Sequence, residues 1–484
     1  MRHTIDSVIR KSVFPFLLLF VTVFAWFNAA SLDRQSGKDF QNFLPAEKDS
    51  TLATPLFSAR RVPVFLQAPI ADKELKTELE KIVAQLPGLS CVNVLEDGRV
   101  IYERLSNEPV VPASTQKLLT AIALLDVFGP DHKFTTRVLS KTQPVNGLIE
   151  GDLWLIGGGD PLLMTAKYAE RYKDPFPYTN IKDLVMLVVS DGINEIRGAV
   201  VGDESLFDEK RFVETWPERF RHTDQKQSGP LSALSLNAGF TRWDPIKESN
   251  GFNTPADDPA KYAADVFEEL LEDNGIEVEE GAKSGLAPDD AFFEIARIDS
   301  PSMLEIISKM LLGSDNTTAE ILLKGLSARF EAQGTSLGGI NIVADSLNKS
   351  GYQMDGVVIA DASGLDYGNR VTCMLLTELL DKGIYSSDLK QSLPVTGETG
   401  TLRKRLVETP AEGRVRGKTG SLNGVISLAG TVDTIFDRNL SFAFVTNFDG
   451  EKNRIRSLHD QIILEFIEYP KGPSLEVLAP IYVK

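Results

Sequence analysis

Ser114 and Lys117 form a pair whose residue types and spacing could do chemistry. They lie in the stretch 111–128, VPASTQKLLTAIALLDVF, in which Pro112 suits the first turn of a helix and nearly every residue from Leu118 onward is apolar. Residues three positions apart on a helix share a face and lie about one turn from each other. A lysine at the start of a buried helix is costly to keep charged, whereas a neutral amine can take the proton of a serine hydroxyl. We therefore predict that Ser114 is a nucleophile and Lys117 its base.

A second polar group stands between two predicted helices, 303–311 and 318–326. Here the triplet Ser314, Asp315 and Asn316 interrupts the apolar pattern. A Ser-x-Asn triplet in such a connection can direct a hydroxyl and an amide at one point. Asp315 can cap the following helix or shape the loop, and both roles stay open.

A third group, Lys418, Thr419 and Gly420, lies on a predicted strand. The glycine would let the backbone of a ligand lie close beside this strand. Each motif is weak alone, because the same short patterns recur elsewhere in the chain. These three share a context that no other triple in the sequence has: a helix start, a connection between helices, and the first of three antiparallel strands, predicted at 413–421, 425–433 and 440–447.

Composition excludes several classes of function. The chain has 484 residues, of which 42% are hydrophobic, and a formal net charge of −17. Such an acidic chain lacks the basic face that nucleic acids require. The chain has four histidines, of which His3 lies in the N-terminal leader, and none of the other three has a His, Cys or acidic partner at metal-ligand spacing. Both cysteines, Cys91 and Cys373, lie in apolar runs, and we favour buried free thiols over a disulfide while leaving the pairing open.

The N-terminal residues predict export. Residues 2–11 include Arg2, Arg10 and Lys11, and residues 12–32 are uncharged and mostly apolar. Residues 1–32 are therefore interpreted as a signal peptide or an uncleaved membrane anchor, and residues 33–62 as a linker. The body of the protein is then exported, to the periplasm or the outer face of the cytoplasmic membrane, and meets the membrane only through this segment.

Three segments resemble the signature sequences of one family of enzymes. They are VPASTQKLLTAIALL, LLGSDNTTAEILL and GRVRGKTGSLNGVISLAGTV, and they look like those of the D-alanyl-D-alanine carboxypeptidases of the penicillin-binding protein 4 type, peptidase family S13. The likeness extends to GDLWLIGGGDP, ADASGLDYGN and LPVTGETGTLRKRL, so it covers most of the chain from about Val64 to about Phe448.

This resemblance implies a fold and a division of the chain. The fold class is α/β (α+β), a catalytic domain of the serine β-lactamase and DD-peptidase kind with an inserted α+β domain. The 200 residues between Ser114 and Ser314 (314 − 114) contain strand and helix signals of their own. We expect the catalytic domain to comprise residues 63–134 and 291–484, and the inserted domain residues 135–290.

The resemblance also implies roles for the motif residues. Ser314 would pass a proton to the leaving amine. Asn316 would bind the amide oxygen of the substrate and orient Lys117, and Lys418 and Thr419 would meet the terminal carboxylate of the substrate.

Further substrate contacts are implied beside strand 413–421. The backbone amides of Ser114 and Ser421 would bind the oxyanion, and Gly420 would lie against the substrate. Asp160 and Asn423 are candidates for contact with a substrate side chain, or are simply a turn residue and a loop amide.

The predicted function is that of a serine DD-peptidase that acts on peptidoglycan stem peptides and is acylated by β-lactams, with no metal or organic cofactor. Whether it acts as a carboxypeptidase or as an endopeptidase stays open. A noncatalytic wall-binding relative and a β-lactamase or esterase of the same fold are alternatives. Nucleotide binding through Gly417-Lys418-Thr419 is not favoured, because Glu412 stands where a Walker loop requires glycine.

Overall fold

The computed structural model describes residues 64–221, 227–244, 253–288 and 293–471. The predicted leader at 1–32 and the linker at 33–62 lie outside these residues. Within the described ranges, no helix has the length and apolar character needed to cross a membrane.

The described chain alternates between helices and strands. The helices are α1 (Val64–Val83), α2 (Lys117–Phe128), α3 (Ala166–Ala169), α4 (Ile181–Ser190), α5 (Glu218–Arg221), α6 (Pro259–Asp273), α7 (Met303–Gly313), α8 (Asn316–Ala328), α9 (Ser336–Lys349), α10 (Cys373–Asp381), α11 (Ser386–Gln391) and α12 (Lys452–Ile467). The strands are β1 (Leu89–Glu96), β2 (Arg99–Arg104), β3 (Thr135–Ser140), β4 (Leu148–Ile149), β5 (Leu153–Ile156), β6 (Leu163–Met164), β7 (Thr179–Asn180), β8 (Glu195–Ile196), β9 (Val200–Asp203), β10 (Phe240–Trp243), β11 (Asn253–Pro255), β12 (Glu277–Val278), β13 (Ala282–Ser284), β14 (Phe293–Asp299), β15 (Val415–Leu422), β16 (Val425–Asp433) and β17 (Asn439–Asn447).

The first large sheet is antiparallel, with the strand order β15-β16-β17-β1-β2. Alternate residues of β17 face opposite sides, as the two-residue period of a strand requires. Phe442 and Phe444 pack in a core with α1 and α12, whereas Ala443 and Val445 pack in a core with α2 and α7 to α10. The sheet is therefore covered by helices on both faces.

A disulfide joins the two cysteines across one of these cores. Cys91 on β1 bonds to Cys373, the first residue of α10. The expectation of free thiols is therefore wrong. The two residues are 282 positions apart, and only the packing of α10 against β1 brings them together.

The second large sheet has the strand order β13-β9-β5-β3-β14. Strand β9 runs parallel to β5 and β13, while β3 runs antiparallel to β5 and β14. Apolar residues of α4 and α6 cover this sheet in a core of their own. The sheet is built from residues 135–299, and the predicted division of the chain at residues 135 and 290 stays a prediction.

Candidate active site

Ser114 lies in a short 3₁₀ turn, Ala113–Gln116, that leads directly into α2. The sequence predicts one helix through this region, but Ala113 has a φ of 51° and regular α-helix begins only at Lys117. The Nζ atom of Lys117 nevertheless lies 3.2 Å from the Oγ of Ser114. The spacing of three residues thus brings the two side chains within hydrogen-bond distance.

Two carbonyl oxygens also contact the amine of Lys117, whose side chain is wholly buried. The Nζ atom lies 2.7 Å from Asn316 Oδ1 and 2.6 Å from the backbone oxygen of Ser363. A carbonyl oxygen can only accept, so each of them takes an N–H of the amine. A neutral amine has two N–H groups and one lone pair, and the lone pair then remains for the hydroxyl of Ser114. This geometry suits a base that removes the proton of Ser114.

The connection between α7 and α8 orients Asn316. The side-chain amide of Asn316 donates to the backbone oxygen of Gln227 at 2.8 Å, so its own oxygen faces Lys117. The preceding Asp315 accepts the N–H of Thr318 at 3.0 Å and pairs with the buried Lys309 at 2.6 Å. Asp315 therefore caps α8 and also fixes the connection between α7 and α8. The sequence left both of these roles open.

A second lysine contacts a second serine at the same place. The Nζ atom of Lys418, on β15, donates to Ser314 Oγ at 2.9 Å and to the backbone oxygen of Thr419 at 2.7 Å. Ser314 has a left-handed backbone with a φ of 53°, which turns its side chain out of the end of α7. Burial lowers the pKa of Lys418 well below its usual range, and the nearby amine of Lys117 lowers it further. The two lysines thus lie close together, each beside its own serine.

Gly420 allows the close packing of β15 against the turn that carries Ser114. A Cβ at Gly420 would lie 3.0 Å from the backbone nitrogen of Ser114 and 2.1 Å from Ser427 Oγ. The predicted reason for this glycine was the approach of a ligand. The structure shows in addition a close approach of the protein's own backbone, and the contact with a ligand stays a prediction.

These residues border a cleft of about 1110 Å³. Thr419 on its wall donates its hydroxyl to Thr401 at 2.8 Å, and the backbone oxygen of Asn423 accepts from Tyr367 at 3.3 Å. The side chains of Ser421 and Asn423 are exposed. The predicted site residues on the lining are Ser114, Ser314, Asn316, Thr419, Ser421 and Asn423.

Asp160 is not among the residues that line this cleft. Its carboxylate is buried and accepts the N–H of Leu162 at 2.8 Å and the hydroxyl of Thr179. Burial raises its pKa to about 6, although both hydrogen bonds act in the opposite direction. These contacts are those of a turn residue.

The sequence analysis missed Ser363, which contacts Lys117, and Glu320, which binds Ser363. The segment ADASGLDYGN contributes to the family resemblance, yet no role was predicted for Ser363 within it, and none for Glu320 on α8. A backbone oxygen such as that of Ser363 leaves no signal in residue type. Glu320 does leave one, since a carboxyl in the middle of an apolar helical run is rarely buried without a reason.

Comparison with known proteins places these features in a family context. The model of the D-Ala-D-Ala carboxypeptidase 3 (S13) family matches residues 75–251 and 247–463. The chain is 28% identical to a D-alanyl-D-alanine carboxypeptidase of Actinomadura sp. (strain R39) over 444 residues, which cover 77% of this chain and 79% of the relative. It is 29% identical to carboxypeptidase DacB of Mycolicibacterium smegmatis over 416 residues, which cover 81% of this chain and 84% of the relative.

A solved structure shares the fold. The crystal structure of penicillin binding protein 4 (dacB) from Haemophilus influenzae aligns with a TM-score of 0.68 and 20% sequence identity. The alignment covers 81% of this chain and 99% of that structure. The expected fold class, mixed helix and strand with the architecture of penicillin-binding protein 4, is therefore confirmed.

Proposed function

The chain belongs to the D-Ala-D-Ala carboxypeptidase 3 (S13) family, and we propose that it hydrolyses D-Ala-D-Ala bonds of peptidoglycan stem peptides through an acyl-enzyme on Ser114. The contacts of Lys117 are the main support for this proposal. Two carbonyl oxygens accept N–H groups of its amine, and the hydroxyl of Ser114 lies within hydrogen-bond distance of the same amine.

In the acylation step, Lys117 takes the proton of Ser114 as Oγ attacks the carbonyl carbon of the scissile bond. The carbonyl oxygen becomes an oxyanion, which accepts hydrogen bonds from the backbone N–H groups of Ser114 and Ser421. Loss of one such donor typically raises the barrier by ~3 kcal/mol.

The tetrahedral intermediate then collapses as the C–N bond breaks. Ser314 gives its proton to the leaving amine, and Lys418, whose Nζ atom contacts Ser314 Oγ, returns one to it. Asn316 orients Lys117 and donates to the amide oxygen of the substrate, and Lys418 and Thr419 contact the terminal carboxylate. Water then attacks the acyl carbon and gives a proton to Lys418. The bond between this carbon and Ser114 Oγ breaks, and the proton held by Lys117 returns to Oγ, so that both lysines regain their starting states.

The proposed substrate, the N-terminal sequence and the disulfide all support export of the enzyme. Peptidoglycan lies outside the cytoplasmic membrane, and residues 1–32 have the pattern of an export signal. The disulfide between Cys91 and Cys373 supports an oxidising compartment, because cytosolic thiols are normally kept reduced. We therefore place the enzyme in the periplasm or on the outer face of the membrane, where β-lactams would acylate it.

Release of D-Ala tests the proposal. Residues 33–484 should release D-Ala from a stem pentapeptide, and the Ser114→Ala variant should not. A cross-linked peptide dimer, supplied in parallel, separates endopeptidase from carboxypeptidase activity. Binding without cleavage of either peptide would favour a noncatalytic relative. Rapid turnover of penicillin without D-Ala release would favour a β-lactamase.

A further inference from the structure

Helix α8 contacts Lys117 directly through Asn316 and indirectly through Glu320, which binds the loop of Ser363. Asn316, at the start of the helix, presents its oxygen directly to the amine. Glu320 lies four residues later, on the same face of the helix. Its Oε1 atom accepts the N–H of Ser363 at 2.8 Å and that of Ala362 at 3.1 Å. Both oxygens that take the N–H groups of Lys117 thus depend on this helix.

Several hydrogen bonds fix the loop that carries Ser363, and those of Asp361 and Glu320 lie on either side of this residue. Asp361 accepts the N–H of Gly364 at 2.7 Å and that of Asp366 at 2.8 Å, which fixes the half of the loop that follows Ser363. The N–H of Ser363 itself is bound by Glu320. The Ser363 carbonyl shares a peptide plane with the N–H of Gly364, which Asp361 binds, and the plane before it is bound by Glu320. The direction of this carbonyl, and so its contact with Lys117, therefore depends on both contacts.

Glu320 is an unusual residue for such a place. Its side chain is wholly buried, and its Oε2 atom has no hydrogen-bond partner among the described residues. Burial raises the pKa of Glu320 to about 8, with the charge of Asp361 as a further cause, so the carboxyl is neutral near pH 7. A neutral acid can bind the loop without adding a negative charge that would favour the ammonium form of Lys117.

We infer that Glu320 is a positioning residue for the base. It fixes Ser363 so that the Ser363 carbonyl takes one N–H of Lys117 and the lone pair of the amine faces Ser114. This inference rests on the proposed function, in which Lys117 is the base.

The test uses a fluorescent penicillin in single-turnover labelling of residues 33–484. Three quantities are measured: the labelled fraction, the acylation rate constant at saturation and the half-saturating penicillin concentration. Glu320→Gln keeps the acceptor oxygen and should be acylated within about threefold of the wild-type rate. Glu320→Ala removes it and should be acylated about 30-fold more slowly or worse, at an unchanged half-saturating concentration.

Lys324→Met is the matched control for loss of stability. Lys324 is a wholly buried residue of the same helix, and it pairs with Asp208 away from Lys117. This variant should lower the labelled fraction and leave the rate constant unchanged. If Glu320→Ala behaves in the same way, Glu320 is merely structural and the inference is wrong.

A further variant covers the case in which Glu320→Ala does not fold. Glu320→Asp draws the acceptor back by one methylene and should also slow acylation, whereas a wild-type rate in this variant would overturn the inference. A wild-type chain that penicillin never labels would instead refute the proposed function.

Discussion

The Nζ atom of Lys418 lies 2.9 Å from the Oγ of Ser314, although 104 residues separate them in the sequence. The contact joins the first strand of the large antiparallel sheet to the end of α7. Lys117 makes the equivalent contact with Ser114. Two serine and lysine pairs thus lie at the cleft, with both serines on its lining and both lysines buried. We propose that Ser114 and Lys117 carry out the attack, and that Ser314 and Lys418 return a proton to the leaving group.

Replacement of Lys418 by methionine should separate catalysis from stability. Lys418→Met removes the partner of Ser314 and the contact with the substrate carboxylate, so acylation by penicillin should slow about 100-fold or more. The fold should persist, because the change removes a buried cation whose pKa burial already lowers. Labelling kinetics and thermal denaturation measure the two effects. Lys382→Met, at an exposed lysine, is the control, and equal rates in both variants would contradict the assignment.

Asp160→Asn should reduce stability and leave substrate affinity unchanged. The carboxylate of Asp160 accepts from the turn at Leu162 and from Thr179. An amide retains one acceptor oxygen, so we expect a loss of about 1–2 kcal/mol in the free energy of unfolding. Urea denaturation and the KM for D-Ala release check this prediction. A raised KM at full stability would show that Asp160 contacts the substrate after all.

The effect of Glu320 on stability should depend on pH. The pKa of Glu320 is raised from 4.5 to about 8 in the folded protein, chiefly by burial. Between these values the folded state binds the proton and the unfolded state does not, so this group makes stability fall as pH rises. Glu320→Gln cannot ionise and should therefore gain stability relative to the wild type as pH rises from 5 to 8. Urea denaturation at both pH values measures this gain. If the stability difference between Glu320→Gln and the wild type is the same at pH 5 and pH 8, the pKa of Glu320 is not raised.

The disulfide should contribute to stability and not to chemistry. Neither Cys91 nor Cys373 lines the cleft. Replacing both by alanine should lower the free energy of unfolding by about 2–5 kcal/mol, because the bond closes a long loop in the unfolded chain. The acylation rate constant should stay at its wild-type value. Denaturation of the double variant, with reduced wild type as the control, tests this, and an unchanged midpoint would refute it.

Local patterns allowed the sequence to predict the elements that carry the motifs. The apolar run after Lys117 marks α2, and three short segments between residues 413 and 447 mark β15 to β17. The spacing of Ser114 and Lys117 was informative because both residues lie within two turns of one segment. In the structure, residues of all three motifs lie beside one cleft.

Contacts between distant segments could not be predicted in this way. The oxygen of Ser363 lies 246 residues from Lys117, and a backbone carbonyl is common to every residue type. The pairing of Cys91 with Cys373 depends on how α10 packs on β1. The packing role of Gly420 was missed for a related reason, because its close neighbour is the turn of Ser114, which is distant in the sequence.

The central claim is that Ser114 is the nucleophile. The most direct measurement is peptide mass spectrometry of residues 33–484 after incubation with a labelled penicillin. We predict one adduct, on the peptide that contains Ser114, and no adduct in Ser114→Ala. A label that survives in Ser114→Ala, or one found on a peptide without Ser114, would contradict the account.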